Sequence, residues 1–252
     1  MRNAVATSGT GRGSGPDEVD RQLALRAATA GLSVAVGSLP VLLLLLWVET
    51  KWSPLLELDD GARDGLHRFA LGHPAFTSVM EAVSAVAGGL GWQVVSVVLV
   101  VWLLWRRRVR VAVFVLVANA GSSLLNTALK DVVHRHRPVV AHPFIHPPGQ
   151  SFPSGHAQAA ATGFTVLLFV LWPHLRAGWQ RRAAVVVAVG ATLLIGFSRV
   201  ALAAHFVSDV VAGYAVGVTW TLVLAAAFHV WRPPAARAHS APRSRGVSRH
   251  GD

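Results

Sequence analysis

The stretch AATAGLSVAVGSLPVLLLLLWV, from Ala27 to Val48, contains 22 residues and no charged side chain. A bilayer core about 30 Å thick is crossed by roughly 20 residues of apolar helix, so this stretch is long enough to span a membrane. It is too long for the core of a signal peptide, and Glu49 and Lys51 follow it where a cleavage site would need small residues. The stretch therefore predicts an uncleaved first transmembrane helix.

The composition of the whole chain agrees with a membrane protein. Of the 252 residues, 53% are hydrophobic and only 14% are charged, which lies outside the usual range of soluble domains. The chain contains no cysteine. Disulfide bonds, thiolate nucleophiles and cysteine-ligated metals are therefore excluded from any account of its function.

Five further apolar runs follow the first one. They predict an all-α integral membrane bundle of six transmembrane helices, in which a single domain fills residues 27–231 between disordered tails at 1–26 and 232–252. The fourth and fifth runs are short for a full crossing, so each needs the polar residues at its outer end to lie at the membrane surface. The predicted spans are Ala27–Val48, Ser78–Trp105, Val109–Leu129, Ala157–Trp172, Ala183–Phe197 and Val207–Trp231.

The basic residues are distributed unequally between the two sides of this arrangement. Sixteen of the 23 lysines and arginines fall in the termini and in the loops on one side, and seven fall on the other. The positive-inside rule places the richer side, with both termini, in the cytoplasm of a protein of the cell membrane. The arginine-rich segment after Trp231 could bind nucleic acid, but a solvated anchor beside anionic lipid is simpler, and we expect no nucleic-acid partner.

Three polar clusters adjoin the predicted spans. They read KDVVHRHRP from Lys130 to Pro138, FPSGHA from Phe152 to Ala157, and SRVALAAHFVSD from Ser198 to Asp209. Polar and ionisable residues at the edge of a membrane are costly, which makes them functional candidates. In the predicted topology all three clusters emerge on the outer, extracytoplasmic face, so we expect them to form one site.

The residues of these clusters suit the chemistry of a phosphate ester. Lys130, Arg137 and Arg199 supply positive charge, and the arginines can make bidentate contacts with phosphoryl oxygens. Ser154 and Gly155 follow a proline at the start of a predicted helix, where free backbone N–H groups bind anions. Together these groups predict a phosphate-binding site.

Two histidines and an aspartate complete the chemistry. His205 and Asp209 are four residues apart, so on a helix they share a face, and the carboxylate can fix the tautomer of the imidazole. The other ring nitrogen of His205 is then free to attack phosphorus. His156 remains as the general acid for the departing oxygen. This scheme needs no metal and no cofactor.

The three clusters resemble the signature of the type 2 phosphatidic acid phosphatases, also called lipid phosphate phosphatases. The resemblance implies a helical core without a metal, a phosphohistidine intermediate on His205, Asp209 as its partner and His156 as the acid. It also implies that Lys130, Arg137, Ser154, Gly155 and Arg199 bind the phosphate. The matching positions are Lys130, Arg137 and Pro138 in the first cluster, Pro153, Ser154, Gly155 and His156 in the second, and Ser198, Arg199, His205 and Asp209 in the third.

Each of these residues also has an ordinary structural interpretation, as an interfacial anchor, a helix cap or a buried histidine. Their joint order, spacing and sidedness favour the functional interpretation. Three other groups of residues are better explained by structure. For the first group named below, we expect a solvated loop and not a metal site, and for the second an amphipathic helix and not a headgroup site. The glycines of the third group suit close helix packing. The groups are His134, His136, His142 and His146; Arg63, His67, Arg68 and His73; and Gly88, Gly89 and Gly91.

These observations predict an enzyme that hydrolyses a phosphomonoester or terminal diphosphate of a membrane lipid. Phosphatidic acid, phosphatidylglycerol phosphate and polyprenyl diphosphate all fit, and the sequence does not rank them. Three alternatives remain: a lipid phosphotransferase with the same phosphohistidine step, a lipid-binding or transport protein without turnover, and a relative of the vanadium haloperoxidases, against which the spans argue. The sequence does not indicate an oligomeric state.

Overall fold

The structure is a computed structural model that describes residues 38–86 and 88–230, together with residues 31, 34 and 35. The tails predicted at 1–26 and 232–252, and most of the first half of the first predicted span, lie outside the described residues. Within the described part, every regular element is a helix. The all-α prediction is confirmed there.

The first predicted span is followed by a second helix, in the region where the sequence indicates an amphipathic helix at the membrane surface. The described part of α1 is Ser38–Glu49, and α2 follows as Ser53–Gly72 at an angle of 89°. α2 buries Asp59 and His67 on one face and exposes Leu58 and Phe69 on the other. The chain thus turns sharply at residues 50–52 and lays an amphipathic helix across the end of the bundle.

The second predicted span consists of two helices separated by a short break. α3 is Pro74–Val86 and α4 is Gly89–Trp105, and together they are long and apolar enough to cross a membrane. Gly88 occupies the N-cap of α4 with an extended backbone. A side chain at Gly91 would collide with the carbonyl of Val86 at 2.1 Å, so this glycine allows the chain to turn tightly at the break.

The remaining four spans lie where the sequence predicts them. They are α5 (Val109–Val133), α6 (Gly155–Leu171, followed by a 3-10 turn Trp172–His174), α7 (Gly178–Ala201) and α8 (Val207–Val230). α7 extends past both ends of the predicted run, because it includes Arg181 on one side and Arg199 on the other. α6 and α7 reach full length through the polar clusters at their ends, as expected.

Five helices are long and apolar enough to cross a membrane, or six if the bent pair α1–α2 forms one broken span. The outer surfaces of these helices are apolar. In α4, for example, Val94, Val97 and Val98 are each 62% exposed, which suits contact with lipid and not with water. The protein is therefore a multi-pass membrane protein.

The pair α6 and α8 forms the centre of the bundle. Gly213 and Gly217, one turn apart on α8, face α6 so closely that a Cβ on either would lie 2.6 Å from a backbone carbonyl of α6, that of Ser154 or Gln158. Small residues on both helices let the backbones approach. This packing brings the start of α6 beside the start of α8, where the second and third clusters lie.

Candidate active site

The start of α6 is fixed directly to the first turn of α8. Ser154 is the N-cap of α6, and its backbone N–H donates to the carbonyl of Asp209 at 2.9 Å. The hydroxyl of Ser154 is buried and has no hydrogen-bond partner. A buried hydroxyl without a partner at a helix N-terminus, next to Gly155, is suited to an anionic ligand.

His205 and Asp209 lie together as predicted, although His205 is not on the helix. It lies in the turn between α7 and α8, one residue before Phe206, and α8 begins at Val207. The reason is that Asp209 caps the helix by accepting a hydrogen bond from the backbone N–H of Phe206 at 3.0 Å. From this position Oδ2 of Asp209 lies 3.5 Å from Nδ1 of His205.

Arg137 contacts the other nitrogen of the His205 ring. Its Nη1 lies 3.0 Å from Nε2 of His205 and 2.9 Å from the carbonyl of Ala204. A guanidinium can only donate, so Nε2 must carry a lone pair, and the ring proton belongs on Nδ1, facing Asp209. Both neighbours of the ring therefore select the same tautomer, in which Nε2 carries the lone pair.

The surroundings of His205 keep its imidazole neutral. Burial in the protein, together with the positive charges of Arg137 and Arg199, lowers its pKa to about 4, although Asp209 acts in the opposite direction. Burial also lowers the pKa of Arg137. His205 is consequently unprotonated, and able to act as a nucleophile, throughout the neutral range.

Backbone carbonyls hold two of the predicted phosphate-binding cations. Arg137 donates to the carbonyls of Gly149 at 2.9 Å and Pro148 at 3.0 Å, and Lys130 donates to that of Gln150 at 2.5 Å. Gly149 has a φ of 75°, a conformation that glycine adopts readily. The loop before α6 thus orients both cations.

Arg199 and His156 complete the cluster. Arg199 is buried, and its Nη1 donates to the hydroxyl of Ser84 on α3, while its Nε has no partner. The positive charges of Arg199, Arg137 and Lys130 act on the ring of His156, and His205 is also close enough to interact with it. Side chains from all three polar clusters therefore lie within electrostatic reach of one another, as the sequence predicts.

A groove of about 680 Å³ leads away from this cluster between α4, α5 and α6. His156 and Gly155 belong to its lining, and most of its exposed surface is apolar, from side chains such as Val97 and Leu116. Polar side chains such as Gln93 and Asn119 also line it. Several of these lining residues are exposed on the outer surface of the bundle, Val97 by 62% and Leu116 by 55%. We call this feature the lateral groove, because it opens towards the side of the bundle.

Comparison with known proteins agrees with this geometry. Residues 111–233 match the family described as the PAP2 superfamily. This part of the chain is therefore similar to the PAP2 superfamily. The family resemblance drawn from the three clusters is thereby confirmed.

Two curated relatives are lipid phosphatases by name. Phosphatidylglycerophosphatase B of Bacillus subtilis (strain 168) is 40% identical over 95 residues, which cover 37% of this chain and 46% of the relative. Lipid A 1-phosphatase of Rhizobium johnstonii is 33% identical over 116 residues, which cover 42% of this chain and 43% of the relative. The chain therefore spans somewhat less than half the length of the curated relatives that it matches.

A solved structure shares the fold. The crystal structure of a transmembrane PAP2 type phosphatidylglycerolphosphate phosphatase from Bacillus subtilis superposes with a TM-score of 0.72 at 23% sequence identity. The superposition covers 79% of this chain and 98% of that one. The helical membrane architecture is therefore that of a transmembrane PAP2 protein.

The three remaining signature positions, predicted to be structural, are buried or partly buried. Pro153 is fully buried, and its carbonyl accepts a hydrogen bond from Asn126 of α5 at 3.4 Å. Ser198 is buried and donates to the carbonyl of Ile195 within α7 at 2.6 Å. Pro138 directly follows Arg137 and is partly buried.

An ion-pair network that the sequence does not predict adjoins His205 and Asp209. Arg135 contacts Asp209 at 2.6 Å and Asp59 of α2 at 2.9 Å. Ser151 donates to Asp209 at 2.5 Å. The signal was present, because Arg135 lies inside the first cluster, but its partner Asp59 lies 76 residues away.

The other histidines discussed in the sequence analysis are exposed or pack against aromatic side chains. Four histidines in the loop after α5 are exposed on the surface. His67 is buried against Phe144 with ring centroids 5.1 Å apart, and His73 stacks on Phe69 at 3.9 Å. These contacts favour the structural interpretation of α2. The exposed histidines are His134, His136, His142 and His146.

Proposed function

We propose that this protein hydrolyses a phosphate ester of a membrane lipid through a phosphohistidine intermediate on His205. The observation that carries the proposal is the pair of contacts on the His205 ring, with Arg137 at 3.0 Å from Nε2 and Asp209 at 3.5 Å from Nδ1. These contacts favour the tautomer with a lone pair on Nε2, inside a cluster of cations. A neutral imidazole held among phosphate-binding groups is suited to attack phosphorus.

In the first step the phosphate enters the cation cluster and takes Arg137 away from Nε2 of His205. Lys130, Arg137 and Arg199 bind the phosphoryl oxygens, together with the N–H groups and the free hydroxyl at the start of α6. Nε2 then attacks phosphorus, and the bond from phosphorus to the lipid oxygen breaks. The imidazolium form of His156 gives its proton to that oxygen.

In the second step water attacks the phosphohistidine. His156, now neutral, accepts a proton from the water, and the bond between phosphorus and Nε2 breaks. Inorganic phosphate leaves, and both histidines return to their starting protonation states. Throughout the cycle Asp209 accepts the Nδ1–H of His205 and stabilises the positive charge that develops on the ring.

The lateral groove suits the hydrophobic part of a lipid. Its apolar walls lead from His156 to the outer surface of α4 and α5, so a lipid could enter sideways while its phosphate reaches the cations. The named relatives act on phosphatidylglycerophosphate and on lipid A 1-phosphate by their names. For this chain we propose a lipid phosphomonoester or terminal diphosphate, without ranking phosphatidic acid, phosphatidylglycerol phosphate and polyprenyl diphosphate.

We also propose that the protein crosses the cell membrane six times with both termini in the cytoplasm, so that the site faces outwards. The supporting observation is the excess of arginine and lysine at the opposite ends of the helices. Single cysteines introduced at His136, beside the site, and at Arg107, at the other end of the bundle, test this sidedness. An impermeant maleimide added to intact cells should label the cysteine at 136 alone, and the reverse pattern would overturn the topology.

The central experiment measures phosphate release in detergent from a panel of lipid phosphates and diphosphates. Wild type is compared with His205→Ala and with His136→Ala, a matched change of an exposed histidine near the site. We expect turnover to be lost in His205→Ala and retained in His136→Ala. Equal turnover in all three proteins would overturn the proposal, and phosphate binding without turnover in wild type would favour a binding or transport function. Transfer of phosphate to an added lipid or sugar acceptor would favour the phosphotransferase.

A further inference from the structure

We propose that Arg135 and Asp59 act as a positioning pair that holds Asp209, and through it His205, in the orientation for nucleophilic attack. This inference rests on the proposed function. It adds to the site a residue from α2, a helix that lies outside the PAP2 region at 111–233. Neither residue contacts the expected position of the substrate, so both act through Asp209.

Arg135 connects two buried carboxylates. Its Nη1 donates to Oδ1 of Asp209 at 2.6 Å, and its Nη2 donates to Oδ2 of Asp59 at 2.9 Å. Both carboxylates are fully buried. The guanidinium also lies over the ring of Phe206, with 4.3 Å to the ring centroid. The guanidinium of Arg135 has little freedom to reorient, because a carboxylate binds each of its terminal nitrogens and an aromatic ring covers one face.

Asp59 also caps α8 from another helix. Its Oδ1 accepts the backbone N–H of Ser208 at 2.9 Å, and its Oδ2 accepts the hydroxyl of Ser208 at 2.5 Å. Ser208 precedes Asp209 in the first turn of α8, where backbone N–H groups lack helical partners. Asp59 therefore holds the backbone next to Asp209 while Arg135 holds its side chain.

The two carboxylate oxygens of Asp209 have different partners. Oδ1 is occupied by Arg135, whereas Oδ2 receives Ser151 and Phe206 and faces Nδ1 of His205. Without Arg135, the carboxylate could rotate and lose its orientation towards the imidazole. A misplaced Asp209 would no longer favour the tautomer that leaves Nε2 free.

The pair also balances charge near the ring. The groups that act most directly on His205 are Asp209, Arg137 and Arg199, and His156 interacts with it across the site. Arg135 adds a positive charge behind Asp209, and Asp59 cancels it. Removing the charge of Asp59 should therefore disfavour a positive imidazole, and removing the charge of Arg135 should by itself favour one.

The test uses Asp59→Asn, Arg135→Gln and Arg135→Lys, with Asp60→Asn as the matched control. Asp60 neighbours Asp59 on α2, but it is exposed and pairs only with Arg63 at the surface. We expect Asp59→Asn and Arg135→Gln to lower kcat by about 10- to 100-fold with KM changed less than about threefold. Arg135→Lys should recover part of the loss, and Asp60→Asn should match wild type.

A second readout separates positioning from general loss of structure. The titration of His205 is followed by NMR of histidine labelled with ¹³C and ¹⁵N, and its signal is assigned by its absence in His205→Ala. We expect the midpoint to move down by roughly half a pH unit in Asp59→Asn and to stay unchanged in Asp60→Asn. In Arg135→Gln the lost positive charge and the lost orientation of Asp209 shift the midpoint in opposite directions, so kcat is the readout for that variant.

Each outcome decides one question. Wild type without turnover, or His205→Ala with full turnover, would defeat the proposed function itself. If these two behave as expected but Asp59→Asn and Arg135→Gln keep kcat, and Asp59→Asn keeps the His205 midpoint, the positioning pair is wrong. A variant that does not elute as a folded protein is replaced by Ser208→Ala, which removes a hydroxyl that donates to Asp59 and accepts from Arg135. This change should lower kcat by about threefold or more, and unchanged kcat there would also overturn the inference.

Discussion

Arg137 donates a hydrogen bond from Nη1 to Nε2 of His205 over 3.0 Å. A residue expected to bind phosphate therefore occupies the lone pair of the expected nucleophile before substrate arrives. The same nitrogen of Arg137 also donates to the carbonyl of Ala204, which keeps the guanidinium at the site once phosphate takes the place of the imidazole. In the proposed mechanism, Arg137 would therefore select the reactive tautomer first and bind the substrate afterwards.

The first prediction concerns Arg137→Gln. The change removes a charged donor from the phosphate and the group that keeps Nε2 unprotonated, so we expect kcat/KM for lipid phosphate hydrolysis to fall by about 100- to 1000-fold. Steady-state phosphate release in detergent measures the effect. Arg68→Gln, a change of an exposed arginine on α2, serves as the control. A loss of less than threefold in Arg137→Gln would contradict this role.

The second prediction concerns the titration of His205. Burial lowers its pKa to about 4, and the charges of Arg137 and Arg199 act in the same direction. In the ligand-free protein we expect its NMR signal to titrate well below the ordinary histidine pKa of about 6.5. A midpoint above 6 would show that the imidazole is not desolvated as described. The measurement is made without substrate, because a phosphomonoester itself ionises near pH 6.

The same shift predicts how stability changes with pH. The pKa of His205 is lower in the fold than in the unfolded chain, so between about pH 6.5 and 4 the unfolded chain takes up a proton that the fold excludes. We expect the contribution of His205 to the free energy of unfolding to fall as pH decreases through this window. Detergent-mediated unfolding of wild type and His205→Ala measures it, and an identical pH slope in both proteins would contradict the shift.

Sequence predicted the parts of the site that depend on residue type and spacing. Phosphate chemistry requires cations and imidazoles, which is why the sequence indicates five residues that the structure brings together. They are Lys130, Arg137, Arg199, His156 and His205. The four later spans were also predictable, because long apolar runs are typical of transmembrane helices.

The rest depended on contacts between distant segments. The partner of Arg135 is Asp59 on α2, and no local pattern distinguishes that aspartate from Asp60 beside it. The placement of His205 in a turn likewise follows from a cap that Asp209 makes with the backbone of Phe206. Helical spacing predicted the proximity of the two side chains correctly but the secondary structure of His205 incorrectly.

The third prediction concerns metal ions. Lys130, Arg137 and Arg199 surround the expected position of the phosphate and would repel a divalent cation there, while they supply the charge that a metal would otherwise provide. We therefore expect turnover to change less than twofold in excess chelator. The assay uses mixed micelles of fixed composition, because divalent cations also alter how lipid phosphates are presented. A loss of turnover that added Mg²⁺ restores would contradict this mechanism.

The fourth prediction tests whether the close packing of α6 and α8 builds the site. A Cβ at Gly213 would lie 2.6 Å from the carbonyl of Ser154, so Gly213→Ala must push the start of α6 away from α8 and stretch the bond from Ser154 to Asp209. We expect a loss of about 1–3 kcal/mol in stability and at least a tenfold loss in kcat. Gly190→Ala on α7, where nothing lies within 4 Å, is the control and should keep full activity. If Gly213→Ala were destabilised but fully active in its folded fraction, the contact between the helices would hold the bundle together without placing the phosphate-binding groups.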